Sequence, residues 1–179
     1  MVPLTEFVES LRSQIGADAW ITDFDPWDGG VDAEVLYLLE APGGRAVGSG
    51  FISRNNPDET AKNFFELNQA AGIPRTRTVT WNVVPWYIGS GTKIRAARAA
   101  DIKAALPALA RLLDSLRRLR AVVLIGRQAQ RVAADVRRLR PAIVVFESPH
   151  PSPRFINAAP GNRARIQAVL NKVASYLDR

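Results

Sequence analysis

Apolar residues recur along this chain at helical spacing and in short runs, and the two patterns alternate. Between Thr5 and Gly16, Phe7, Val8, Leu11 and Ile15 recur at helical spacing, which predicts an amphipathic helix ended by Gly16. A polar, Gly-rich stretch from Asp23 to Asp32 leads into the apolar run Ala33–Leu39, closed by Glu40-Ala41-Pro42-Gly43-Gly44, which reads as a buried strand and a tight loop. Asn56-Pro57-Asp58-Glu59 predicts a helix start with Asn56 as cap, Pro57 in the first turn and two acids favoured by the helix dipole. That helix is expected to reach about Gly72 and to bury Ala61, Phe64, Phe65 and Leu67. A β-branched strand over Thr78–Val84 ends at Pro85. From Ile102, the spacing of Leu106, Leu109, Leu113 and Leu116 predicts a helix with Pro107 near its start. Ala121–Ile125 is a third strand, closed by Gly126 and followed by a helix to about Leu139; Ala142–Phe146 is a fourth. After a Pro-rich loop, Ile166, Val169, Leu170, Val173 and Leu177 mark a final helix. Apolar strands separated by helices predict an α/β fold, a parallel sheet with helices on both faces. No repeat or linker interrupts the pattern, so residues 1–179 are expected to form a single domain.

Composition narrows the chemistry. The 179 residues carry a net charge of +7, and 20 of the 24 cations are Arg. Such a balance favours a polyanionic partner, and Arg suits bidentate phosphate contacts, although GC-rich coding equally explains an Arg- and Ala-rich chain. The chain contains no Cys, which excludes disulfides, thiol catalysis, Cys-ligated zinc and iron–sulfur clusters. A single histidine, His150, excludes a His-rich metal site. Glu6, Glu9 and Arg12 interrupt the first segment, and no apolar run approaches 18 residues, so a soluble, cytoplasmic protein is expected.

In open parallel sheets ligands bind beyond the carboxyl ends of the strands. That rule selects Glu40-Ala41-Pro42-Gly43 with Gly48-Ser49-Gly50-Phe51 beyond it, Asn82, Gly126-Arg127-Gln128, and the loop from Ser148 to Phe155. Each residue also has a plainer reading. Glu40 suits a loop cap or an ion pair, Asn82 a strand-end turn, Phe51 a core position and His150 a structural role. Gly48-x-Gly50 lacks the Lys and Ser/Thr of a P-loop, and no G-x-S-x-G elbow supports Ser148 or Ser152 as a hydrolase nucleophile.

Glu40-Ala41-Pro42-Gly43 after the first strand, Asn82-Val83-Val84 ending the second and His150-Pro151-Ser152-Pro153 after the fourth resemble the uracil-DNA glycosylase superfamily. The match runs from about Val35 to Leu177, and its Glu-Ala-Pro-Gly motif points to one branch of that superfamily. The resemblance implies a three-layer α/β/α domain with a four-stranded parallel sheet. It also implies base-excision repair: a uracil or other deaminated base is flipped out of DNA and its N-glycosidic bond hydrolysed, with no cofactor or metal and a monomer as default. Phe51 would stack on the base, Asn82 would read its polar edge and Ala41 would border it. His150 would donate to the base oxygen that gains charge, and Glu40 would offset the sugar cation or orient water, with Asp58 and Glu59 as further acidic candidates. Pro151 to Phe155, including Ser152, Pro153 and Arg154, would press into the minor groove, while Arg45, Arg54, Arg127, Gln128 and Arg154 would contact DNA at the rim.

The chain departs from the branch pattern. Trp86 and Ala105 stand where that branch has cluster-binding Cys, Leu39 replaces an opening Gly, and Ala41 stands where another branch has its catalytic Asp. Arg154 replaces an apolar wedge. The alternative consistent with these departures is a non-catalytic binder of damaged or single-stranded DNA; a small-molecule hydrolase or transferase using Glu40 and His150 is a third class.

Overall fold

The computed structural model describes residues 2–16, 19–90 and 93–179. Four five-residue strands, β1 (Val35–Leu39), β2 (Thr78–Asn82), β3 (Ala121–Ile125) and β4 (Val144–Ser148), form one parallel sheet in the order β2-β1-β3-β4. Among the described residues, eight α-helices accompany it: α1 (Val2–Ile15), α2 (Gly44–Ser49), α3 (Glu59–Ala70), α4 (Ala99–Ser115), α5 (Arg127–Gln130), α6 (Ala133–Leu139), α7 (Pro153–Ile156) and α8 (Asn162–Leu177). A two-residue parallel pairing joins Asp23–Phe24 to Phe51–Ile52, and Gly89–Ser90 pairs antiparallel with Lys93–Ile94. Among the described residues no helix is long and apolar enough to cross a membrane.

Successive residues of a strand face opposite sides of the sheet, and the core divides accordingly. Leu36, Leu38, Val79, Trp81, Val122 and Leu124 pack with α1, α4 and α6 on one side. Val35, Tyr37, Ala121, Val123 and Ile125 pack with α3 and α8 on the other. Strands so covered need apolar residues at nearly every position, which is why they read as runs rather than alternations. The result is the expected three-layer α/β/α arrangement. From β1 the chain moves outward to β2, then returns past β1 to β3 and β4, so the direction reverses between β1 and β3 and opens a crevice at their carboxyl ends.

Several boundaries differ from those the pattern predicts. Asp58, not Asn56, caps α3: its Oδ1 accepts from the Ala61 N–H at 2.9 Å. Helix α4 begins three residues earlier than the leucine spacing indicates, because the Asp101 carboxylate accepts from the Arg98 N–H at 2.7 Å and fixes that end; Pro107 therefore lies mid-helix. The expected helix after Gly126 is broken into α5 and α6. Strand β4 starts two residues late. Its register against β3, Ala121↔Val144 through Ile125↔Ser148, recruits the polar Glu147 and Ser148 at a sheet edge where apolarity is not required. The Gly48-Ser49-Gly50 segment is the end of helix α2, with Gly50 as its left-handed cap at φ +80°.

Candidate active site

The carboxyl ends of the strands place four chain segments around one cavity of about 270 Å³, the share of liquid volume of about nine waters. Beyond β1, the backbone N–H groups of Val83 and Val84 donate to Leu39 O (2.8 Å) and Glu40 O (2.9 Å), which ties the Glu40-Ala41 loop to the segment after Asn82. Asn82 ends β2 and lines the cavity beside Thr80. At the end of β3, Gly126 adopts φ +84° and lies so close to His150 that a Cβ on it would sit 3.3 Å from the histidine Cβ. Glycine is required there on both counts. Helix α3 contributes Asp58 and Phe64, and the loop after β4 contributes His150 and Pro151.

Three buried polar atoms of residues lining this cavity have no hydrogen-bond partner: Asn82 Nδ2, Thr80 Oγ1 and Arg54 Nε. An unmet buried donor costs about 1–3 kcal/mol, so these residues lower the stability of the fold where they meet the cavity. Burial holds the His150 pKa below the ordinary histidine value, and the nearby Asp58 carboxylate opposes that shift only in part. The imidazole is therefore neutral at pH 7. Arg54 belongs to a buried network: one Nη donates to Asp28 Oδ1 (2.8 Å) and Thr78 Oγ1 (2.7 Å). Arg75 reaches Asp28 Oδ1 (2.9 Å) and Asp25, and Asp28 Oδ2 accepts the Thr80 N–H at 3.1 Å. The Arg54 guanidinium lies 5.9 Å from the ring centres of both Tyr37 and Phe64.

The cavity brings together Ala41, Arg45, Arg54, Asp58, Asn82 and His150 from the residues selected in the sequence. Others go elsewhere. Glu40 does not line it; its Oε1 accepts the Ala97 N–H at 2.5 Å, the loop-capping role. Glu59 is exposed at the first turn of α3. Phe51, expected to stack on the base, is 39% exposed outside the cavity, and the aromatic residue that lines it is Phe64. Arg54, expected at the rim, lines the cavity from a buried position, because Asp28, unrecognised in the sequence, holds it there. Arg127 is exposed, while Gln128 accepts from Arg131 at 2.9 Å. Ser152 caps α7, Pro153 opens it and Arg154 is exposed. Phe155 packs onto the core shared with α8, with the Arg165 guanidinium 5.6 Å from its ring centre, so it is no protruding wedge. Thr80, Phe64 and the Asp28–Arg54 pair escaped the sequence reading; the two acids in Asp25-Pro26-Trp27-Asp28 were the one signal available for that pair.

Residues 26–174 match the family model described as the uracil DNA glycosylase superfamily. The chain belongs to the uracil DNA glycosylase superfamily. Its fold is similar to the solution NMR structure of a putative uracil DNA glycosylase from Methanosarcina acetivorans, with a TM-score of 0.56 and 16% identity over 86% of this chain and 98% of that one. No curated protein matches the chain. This superfamily member does not fit an iron–sulfur cluster. Trp86 packs against the α1–α4 side of the core and bridges to Ile21, Ala105 is fully buried, and no thiol exists to bind iron.

Proposed function

We propose that this protein excises uracil, and other deaminated bases, from DNA by hydrolysing the N-glycosidic bond. The reading rests on one observation: Asn82 and His150, carried at or beyond the ends of two different strands, line a single base-sized cavity together. In an everted uracil, Asn82 Nδ2 donates to O4 while Oδ1 accepts from N3–H. Cytosine presents an amino group where uracil has O4, so two donors would meet and cytosine is refused. Phe64 and Ala41 border the base.

As the C1′–N1 bond breaks, its electron pair passes to the base and concentrates on O2, while the sugar gains cationic character. The neutral His150 donates a hydrogen bond to O2, an electrostatic contribution that needs no proton transfer. Asp58, the carboxylate at the cavity wall, offsets the sugar charge and takes the proton of the water that adds to C1′. The products are the free base and an abasic site. Membership of a glycosylase superfamily supports DNA as the substrate.

The test uses single-uracil oligonucleotides, single-stranded and duplex, with alkaline strand cleavage and chromatographic detection of free base. Wild type is expected to release uracil, and His150→Ala and Asn82→Ala to release it far more slowly. Asn82→Asp is expected to gain measurable cytosine release. Absence of product from uracil, hypoxanthine and xanthine substrates alike would reject the reading.

A further inference from the structure

Beside the mouth of the base cavity lies a second hollow of about 240 Å³, walled by Pro26, Trp27, Phe51 and Asn55. Ser53 and Asn56 line both hollows, so the two adjoin. Two aromatic side chains stand open to solvent here, Trp27 at 72% and Phe51 at 39% exposure. The segment carrying Trp27 is anchored from beneath. The Trp27 N–H donates to Asp25 Oδ1 at 2.8 Å, Asp25 and Asp28 are buried, and Arg75 binds both. The same Arg75 donates to Asn55 Oδ1 at 3.1 Å and so ties the far wall of the hollow to the two buried aspartates. An indole displayed on a fixed loop next to a second ring offers the apolar faces on which an unpaired nucleobase stacks.

We propose that Trp27 and Phe51 form a stacking platform for the base adjoining the everted nucleotide, and that the protein accordingly acts on single-stranded DNA. This rests on the excision reading for the neighbouring cavity. The segment that would open a duplex argues the same way: Pro151 lines the base cavity, Phe155 is packed into the core, and the exposed side chain left there is Arg154. Without an apolar wedge the gap in a duplex is not held open, whereas a single strand arrives with both bases free.

The experiment measures binding of a fluorescent, uracil-free single strand and its duplex by anisotropy, alongside uracil release from matched uracil-containing strands. Wild type is expected to bind the single strand at least about tenfold tighter than the duplex. Trp27→Ala should weaken single-strand binding by about 5- to 150-fold, the value of one base–aromatic stack, and Phe51→Ala should weaken it less. Trp27→Phe should restore most of the affinity. Trp20→Ala, which removes an exposed indole stacked on Tyr87 away from this hollow, should bind as wild type. Uracil release with unchanged single-strand affinity in both Trp27→Ala and Phe51→Ala, or a wild-type preference for duplex, would overturn the platform. Trp27-dependent single-strand binding without release of any base would leave the platform standing and remove the excision reading.

Discussion

The two ends of the parallel sheet are built from the same strands and treat their polar groups in opposite ways. Glu34, Arg77 and Arg120 directly precede β1, β2 and β3 at the amino ends. Glu34 accepts from Arg77 at 2.7 and 3.0 Å and from Arg120 at 3.1 Å, and these pairings hold its carboxyl down at about pKa 2. The two guanidiniums also reach the Leu177 carbonyl at 3.0 and 2.9 Å, closing the end of α8. At the carboxyl ends, Asn82, Thr80 and Arg54 each keep a buried polar atom without a partner, and His150 is held neutral. One end saturates its polar groups and stabilises the fold. The other leaves them unmet in residues that line a cavity, which costs stability, the pattern expected where a fold gives up stability at a site.

Four substitutions would break or sharpen that contrast. The largest effect is expected from His150→Ala, which should lower single-turnover uracil release by about 10²- to 10⁴-fold while the thermal midpoint stays near that of wild type. A large loss of stability instead would make His150 structural. Asp58→Asn should lower turnover by about 10²-fold or more with little change in KM. Asn caps a helix as well as Asp does, so calorimetry should show α3 intact; Glu40→Gln, still able to accept from Ala97, serves as the contrasting variant. Unchanged turnover in Asp58→Asn would move the acidic role to Glu40.

At the opposite end, Glu34→Gln should cost about 1–3 kcal/mol in urea unfolding and leave uracil release unchanged below the transition. Because the folded pKa of Glu34 is lowered from 4.5 to about 2, its contribution is complete above pH 4.5 and is lost as pH falls toward 2. The stability of wild type should therefore fall more steeply than that of Glu34→Gln across that window. His150 adds a loss of the same sign as pH drops below 6.5, since the unfolded chain binds its proton more readily. The smallest effect on stability belongs to Asn82→Ala. Removing an unmet buried amide should leave stability unchanged or raise it by about 1 kcal/mol, and a marked destabilisation would mean that the amide is satisfied in the folded protein.

What could be read in advance differed by residue type. Strand β3 appeared at its true limits because buried parallel strands impose apolarity at every position, whereas β4 was misplaced because an edge strand tolerates Glu147 and Ser148. Asn82 and His150 line one cavity because both lie at or beyond the carboxyl ends of parallel strands, a placement legible in the sequence. Phe51 and Arg54 were misjudged for a common reason. Their directions depend on the pairing of Phe51–Ile52 with Asp23–Phe24 and on Asp28, contacts made across more than twenty residues of chain.

The sequence by itself determined the alternation of strand and helix, the layered architecture, the absence of thiol chemistry, and the motif positions that carry the superfamily resemblance, since periodicity and residue type are local properties. Only the tertiary structure decided which carboxylate reaches the cavity, which ring lines it and which cation is buried. Those outcomes follow from long-range partners that compete for each side chain: the Ala97 N–H takes Glu40, Asp28 takes Arg54, and Asp58, fixed as the cap of α3, remains beside His150.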